Sequence, residues 1–114
     1  MPYITVTTNQ SLPAERTAAL KAKIAQALSD SMPGKTENWL LLRFVGDETM
    51  YFGGSDAPCL MADVCVFGKQ SKESYAKMTA AVTELLSAEC AVPADRIYVK
   101  YTEYDKWGWN GGNF

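Results

Sequence analysis

Histidine is absent from this chain of 114 residues, and that absence excludes more chemistry than any other feature of the composition. Without an imidazole there is no Ser-His-Asp or Cys-His nucleophile, and the usual zinc sites lose their commonest ligand. Acid–base work near neutral pH is left to a perturbed Lys, Asp, Glu, Tyr or Cys, or to the terminal amine. No motif asks for a metal or a cofactor. Long apolar runs are missing too: none approaches the roughly 20 residues that cross a bilayer. The N-terminus lacks a basic region followed by an apolar stretch. No export signal and no membrane insertion are therefore expected, and the cytoplasm is the default address. Excess positive charge is lacking as well, since 11 Lys and Arg face 13 Asp and Glu for a net charge of −2. That balance gives no reason to expect nucleic acid or an anionic membrane as partner. Cysteine is scarce and odd in number. Cys59, Cys65 and Cys90 sit in apolar surroundings and read as buried thiols, not as a disulfide framework.

What is present suits one domain spanning residues 1–114, long enough for a real core and too short for two. Hydrophobic residues make up 47% and charged residues 21%, the proportions of an ordinary globular protein. The stretch that organises the rest is Met1-Pro2-Tyr3-Ile4-Thr5-Val6. A proline after the initiator methionine lets that methionine be trimmed, which leaves a secondary amine at the start of a strand-like run, Pro2 to Thr8. In that run Pro2, Ile4 and Val6 share one face, and Tyr3, Thr5 and Thr7 the other. An amine held inside a fold is desolvated, which disfavours its charged form and lets it act as a base near neutral pH. With Met1 retained, Pro2 is a tertiary amide and has no basic nitrogen. An ordinary terminus is the competing reading of the dipeptide taken alone.

Further along, Ser11 followed by Pro13 reads as a helix start, and Leu20, Ile24, Ala27 and Leu28 recur at helical spacing as far as Met32. Met32-Pro33-Gly34 stops that helix. Trp39 to Val45 is apolar enough to predict a strand buried on both sides. Met50-Tyr51-Phe52 is a short extended stretch. Phe52-Gly53-Gly54-Ser55 lacks the spacing and the lysine of a phosphate cradle and reads as a turn. Leu60 to Phe67 is the next strand. A second helix follows, with Tyr75, Met78, Val82, Leu85, Leu86 and Glu89/Cys90 along one stripe. Val92-Pro93 ends it, and Ile97 to Thr102 is a strand. The tail from Tyr104 to Phe114 is rich in aromatics and glycine.

Strand–helix–strand is thus written twice, with the two helix-closing prolines about 60 positions apart. The fold class that follows is α+β: two βαβ repeats forming a four-stranded mixed sheet with both helices on one face. The strands look apolar on the other face too, so an oligomer is expected to cover it.

Taken in order, several stretches resemble the macrophage migration inhibitory factor and D-dopachrome tautomerase family of the tautomerase superfamily. They are Met1-Pro2 opening a strand, Thr8-Asn9, Gly34-Lys35, Phe52-Gly53-Gly54-Ser55, Pro58-Cys59, Gly68-Lys69, Asp95-Arg96-Ile97-Tyr98, and Gly108-Trp109-Asn110 with Phe114. The resemblance covers the whole length. It implies a homotrimer with sites at the subunit interfaces and keto–enol tautomerisation of α-keto acids such as phenylpyruvate. Carried over residue by residue, it makes Pro2 the base and Lys35 the cation that meets the substrate carboxylate. Phe67 becomes a pocket wall and Tyr98, from the neighbouring subunit, a hydrogen-bonding phenol. Trp109 and Phe114 form an aromatic rim, with Tyr3 and Trp107 completing the lining. The family also includes cytokines exported without a signal peptide, so a cell-surface receptor is a second implied partner. Decarboxylation or dehalogenation by the same amine is a third course.

Each residue has a plainer reading. Lys35 suits a solvated loop, Phe67, Trp109 and Phe114 suit core or interface filler, and Tyr98 with Lys100 suits an exposed strand face. Two positions depart from the family pattern. Cys59-Leu60-Met61-Ala62 lacks the second cysteine of a Cys-x-x-Cys, which removes dithiol chemistry. Lys100 stands where the mammalian cytokine has asparagine. Beside Lys35 it is expected to place a second ammonium at the pocket, favour anionic substrates and lower the Pro2 pKa.

Overall fold

The computed structural model describes all 114 residues, Met1–Phe114. Pro2–Thr8 forms β1, with Pro2, Ile4, Val6 and Thr8 buried and the residues between them half-buried. Leu60–Phe67 forms β3 with the same alternation, Leu60, Ala62, Val64 and Val66 facing inward. The two run antiparallel at the centre of the sheet, Ile4 opposite Val64. Each then takes a parallel outer neighbour: Leu41–Val45, β2, beside β1, and Ile97–Tyr104, β4, beside β3. Parallel pairs need a crossover, and the helices Ala14–Ser31 (α1) and Lys72–Cys90 (α2) supply them. The sheet order β2-β1-β3-β4 is the pair of βαβ units that the sequence predicts. Both helices lay their apolar stripes on one sheet face, where Leu20, Ile24 and Leu28 meet Met78, Val82 and Leu86 over Ile4, Val6, Val64 and Val66. No helix is long and apolar enough to cross a membrane.

The ends of the elements differ from expectation in ways that have local causes. Pro13, not Ser11, occupies the N-cap of α1, and its carbonyl accepts the N–H groups of Arg16 and Thr17 at 3.0 and 3.1 Å. The Ser11 hydroxyl instead donates to Asp47 Oδ1 at 2.8 Å. Helix α2 has a side-chain cap, with Ser71 Oγ accepting the Ser74 N–H at 3.1 Å. It stops at Cys90, before Val92-Pro93, because Ala91 turns into the left-handed region at φ 54°. The run from Trp39 is not one strand. Glu37–Trp39 is a 3-10 turn, and β2 begins at Leu41 on a sheet edge, so Leu41 is 65% exposed where burial on both sides was expected. Phe52 makes only an isolated bridge to Ser55. The strand from Ile97 runs two residues further than predicted, to Tyr104.

The uncovered sheet face is mixed, not apolar. Arg43, Thr5, Asp63 and Lys100 lie side by side across its four strands, and Lys100 Nζ is 3.5 Å from Asp63 Oδ2. Cys65 also lies on this face and is half-buried, because strand alternation turns Val64 and Val66 inward in its place. After β4 the chain closes in a hairpin of Gly108–Trp109 (β5) and Gly112–Asn113 (β6). Asn110 and Gly111 between them both have positive φ, 52° and 80°. A tight two-residue hairpin turn demands that, and an Asn-Gly pair tolerates it.

Candidate active site

Three stretches far apart in the chain meet where β1 begins: the N-terminus, the connection from Lys35 to Leu41, and the tail hairpin. Between them lies a cavity of about 320 Å³ whose lining includes Met1, Pro2, Tyr3, Trp39, Leu41, Trp107 and Trp109. A second hollow of about 500 Å³, bounded by Asp63, Cys65, Tyr104 and Lys106, shares the Tyr3 and Trp107-Gly108 wall with it.

Lys35 reaches this place because Met32-Pro33-Gly34 reverses the chain tightly. Gly34 takes φ 85°, and the Lys35 N–H donates to the Met32 carbonyl at 3.0 Å. Its ammonium then donates to the Phe67 carbonyl at 3.3 Å. Phe67, at the end of β3, uses its own N–H to hold the Met1 carbonyl at 3.1 Å, and its ring lies 5.6 Å from that of Phe114. The Phe114 N–H closes the tail onto the Trp107 carbonyl at 3.0 Å. The terminal amine, carried here by Met1, is pushed down to about 6, first by burial and then by a hydrogen bond to Lys35 and the charge beside it. Both causes act in one direction: desolvation and a neighbouring cation each disfavour a protonated amine. The Tyr3 phenol is also lowered, by its bonds to Thr5 and then Arg43.

Of the residues singled out from the sequence, Pro2, Tyr3, Trp107 and Trp109 line this cavity, and Lys35, Phe67 and Phe114 adjoin it through their contacts with one another, with Met1 and with Trp107. Tyr98 and Lys100 do neither. They sit on β4, beyond β3 from Pro2. Tyr98 packs its ring 4.8 Å from Phe52, and Lys100 pairs with Asp63. Within one chain, Lys35 and Lys100 do not flank a common pocket. Trp39 belongs to the site and was missed, because its apolar neighbours drew it into a strand. It meets Trp109 edge to face with ring centroids 5.0 Å apart. A signal was available: the chain has three tryptophans, and all of them line this one cavity.

Such an arrangement suits proton transfer on a small organic acid. It offers an amine lowered toward neutrality, an ammonium nearby that can meet a carboxylate, and flat apolar walls for a ring.

Comparison with known proteins bears on the family and the fold. The family model described as macrophage migration inhibitory factor (MIF) matches residues 1–114. The macrophage migration inhibitory factor of Mus musculus is 30% identical over 122 residues, covering 100% of this chain and 99% of its own. That of Xenopus laevis is 29% identical over 119 residues, with the same coverage. Among solved structures, Leishmania major MIF2 superposes with a TM-score of 0.93 at 31% identity, covering 100% of this chain and 97% of that one. The Toxoplasma gondii factor superposes at 0.90 with 23% identity, covering 98% and 99%, a likeness of fold.

Proposed function

We infer the activity from two things: this chain belongs to the macrophage migration inhibitory factor family, within the tautomerase superfamily, and its terminal amine lies at an aromatic cavity, within reach of Lys35. The proposed reaction is keto–enol tautomerisation of small α-keto acids of the phenylpyruvate type. Once Met1 is removed, the Pro2 nitrogen takes a proton from the carbon next to the carbonyl. It then returns a proton to the carbonyl oxygen, so the substrate is isomerised and nothing else is consumed. Lys35 meets the carboxylate, and Phe67, Trp39, Trp109 and Phe114 hold the ring. In a homotrimer Tyr98 and Lys100 come from the adjoining chain, a reading supported by the unpaired outer edges of β2 and β4 and by the 62% exposure of Tyr98.

The observation that carries this reading is the depressed amine. Pro2 lines the same aromatic cavity as Met1, so trimming leaves its amine among apolar walls that disfavour a charged form. Its neutral form is then available as a base at pH 7 without a histidine. The test combines intact-mass analysis, sedimentation and a phenylpyruvate assay on wild type and Pro2→Gly. A trimer lacking Met1 is expected to turn over phenylpyruvate, and Pro2→Gly to lose about a hundredfold or more. Wild-type rates in a correctly trimmed Pro2→Gly chain, or a monomer that is fully active, would overturn the assignment.

A further inference from the structure

Arg96, at the end of the 3-10 turn Ala94–Arg96, does work that neither the core nor the cavity requires. Its guanidinium donates to the carbonyls of Pro58 at 2.9 Å, Phe52 at 3.2 Å, and Ser55 and Ala57 at 3.0 and 3.1 Å. It also lies 5.2 Å above the Phe52 ring. From the other side Asn9 donates to the carbonyls of Asp56 and Ala57 at 3.0 and 3.1 Å and accepts the Cys59 N–H at 3.0 Å. The segment from Phe52 to Cys59 is therefore tied to the end of β1 and the start of β4, although it has no regular structure beyond one bridge. A surface loop with few apolar contacts is ordinarily among the first parts of a fold to open. Here the planar fork of an arginine, which matches several carbonyls at once, holds it shut.

The clamp does not serve the core, since Phe52 and Tyr98 stand outside the buried cluster. What it carries outward is the Phe52 ring, which packs against Tyr98 at 51° on the free edge of β4. Resting on the tautomerase reading above, we propose that Arg96 is a positioning residue: by fixing Phe52 it holds the exposed Tyr98 phenol in the orientation that serves the pocket of the adjoining chain. Three of the family-like stretches, around Phe52, Pro58 and Arg96, then form a single device.

The test uses Phe52→Leu, which leaves the Arg96 hydrogen bonds in place, together with Arg96→Lys and the pair Phe52→Leu/Tyr98→Phe. Phe52→Leu is expected to raise KM for phenylpyruvate by roughly two- to tenfold, the fold-change of one aromatic contact, while kcat stays within about twofold. Phe52→Tyr should restore the wild-type KM. In a Tyr98→Phe background, Phe52→Leu should add nothing further, because it acts through the hydroxyl already removed. Arg96→Lys should reproduce the KM effect. An unchanged KM in Phe52→Leu, or effects that multiply independently in the pair, would overturn the proposal. If wild type shows no phenylpyruvate turnover, the tautomerase reading itself has failed. Positioning is then read from the tryptophan-fluorescence Kd for benzoate, where no weakening in Phe52→Leu overturns it as well.

Discussion

The two βαβ halves share a backbone plan and differ in what their corresponding side chains do. Each runs from a central strand through a helix and a 3-10 turn to an edge strand. The last residue of the turn is Trp39 in the first half and Arg96 in the second. Two residues on, each edge strand presents a large exposed side chain, Leu41 at 65% and Tyr98 at 62%. Two further on, each carries a cation on the open face, Arg43 and Lys100. In the first half the turn residue lines a cavity beside the amine and Lys35; in the second it ties down a loop and presents an aromatic edge. The first half places its turn residue in the cavity and the second places an exposed aromatic on a sheet edge. A duplicated architecture divides labour in this way because the backbone geometry is set by the alternating apolar strand residues. The residues at turns and edges are free to differ.

The largest expected effect addresses what the halves have in common. Leu28 on α1 and Leu86 on α2 are both fully buried in one cluster. Leu28→Ala and Leu86→Ala should each destabilise by about 2–5 kcal/mol and lower a single cooperative transition. Two separable transitions in denaturant would mean that the halves fold as independent units.

The next prediction concerns the amine and Lys35, both of which belong to the first half. A base must be unprotonated, so turnover should rise with pH along a limb lying below the ordinary 8.0 of a terminal amine, because burial and then Lys35 lower an amine at this place. Lys35→Met should move this ascending limb toward the ordinary 8.0 without reaching it, because burial is the larger cause. In the chain that keeps Met1, the same lowered amine favours folding above 8.0, and this advantage is lost as pH falls to about 6. A limb that stays in place in Lys35→Met would remove that lysine from the site.

The smallest effect lies in the second half. Lys100 is partly exposed and already faces Asp63 at 3.5 Å, so Lys100→Asn should weaken dicarboxylate substrates more than phenylpyruvate, by no more than about fivefold. Equal KM changes for both substrate types would assign Lys100 to the charged row on its own sheet and not to a neighbour's pocket.

Much of this protein is set by local sequence pattern. Strict alternation in Pro2–Thr8 and Leu60–Phe67, and helical spacing from Leu20 to Leu28 and from Met78 to Cys90, determine strands, helices and their inward faces. A period of two or of 3.6 leaves each apolar stripe only one side to bury. The absence of histidine, together with Met1-Pro2, narrows acid–base chemistry to very few groups before any coordinate is known. Contacts between distant residues are not written in any period. Only the tertiary structure decided that Trp39 leaves the strand to meet Trp109, that Lys35 reaches across to the Phe67 carbonyl, and that Arg96 gathers carbonyls some 40 residues earlier in the chain. It also decided that Lys100 lies beyond β3 from Pro2. Strand order and register fix such neighbours, and they arise from packing the whole sheet against both helices at once.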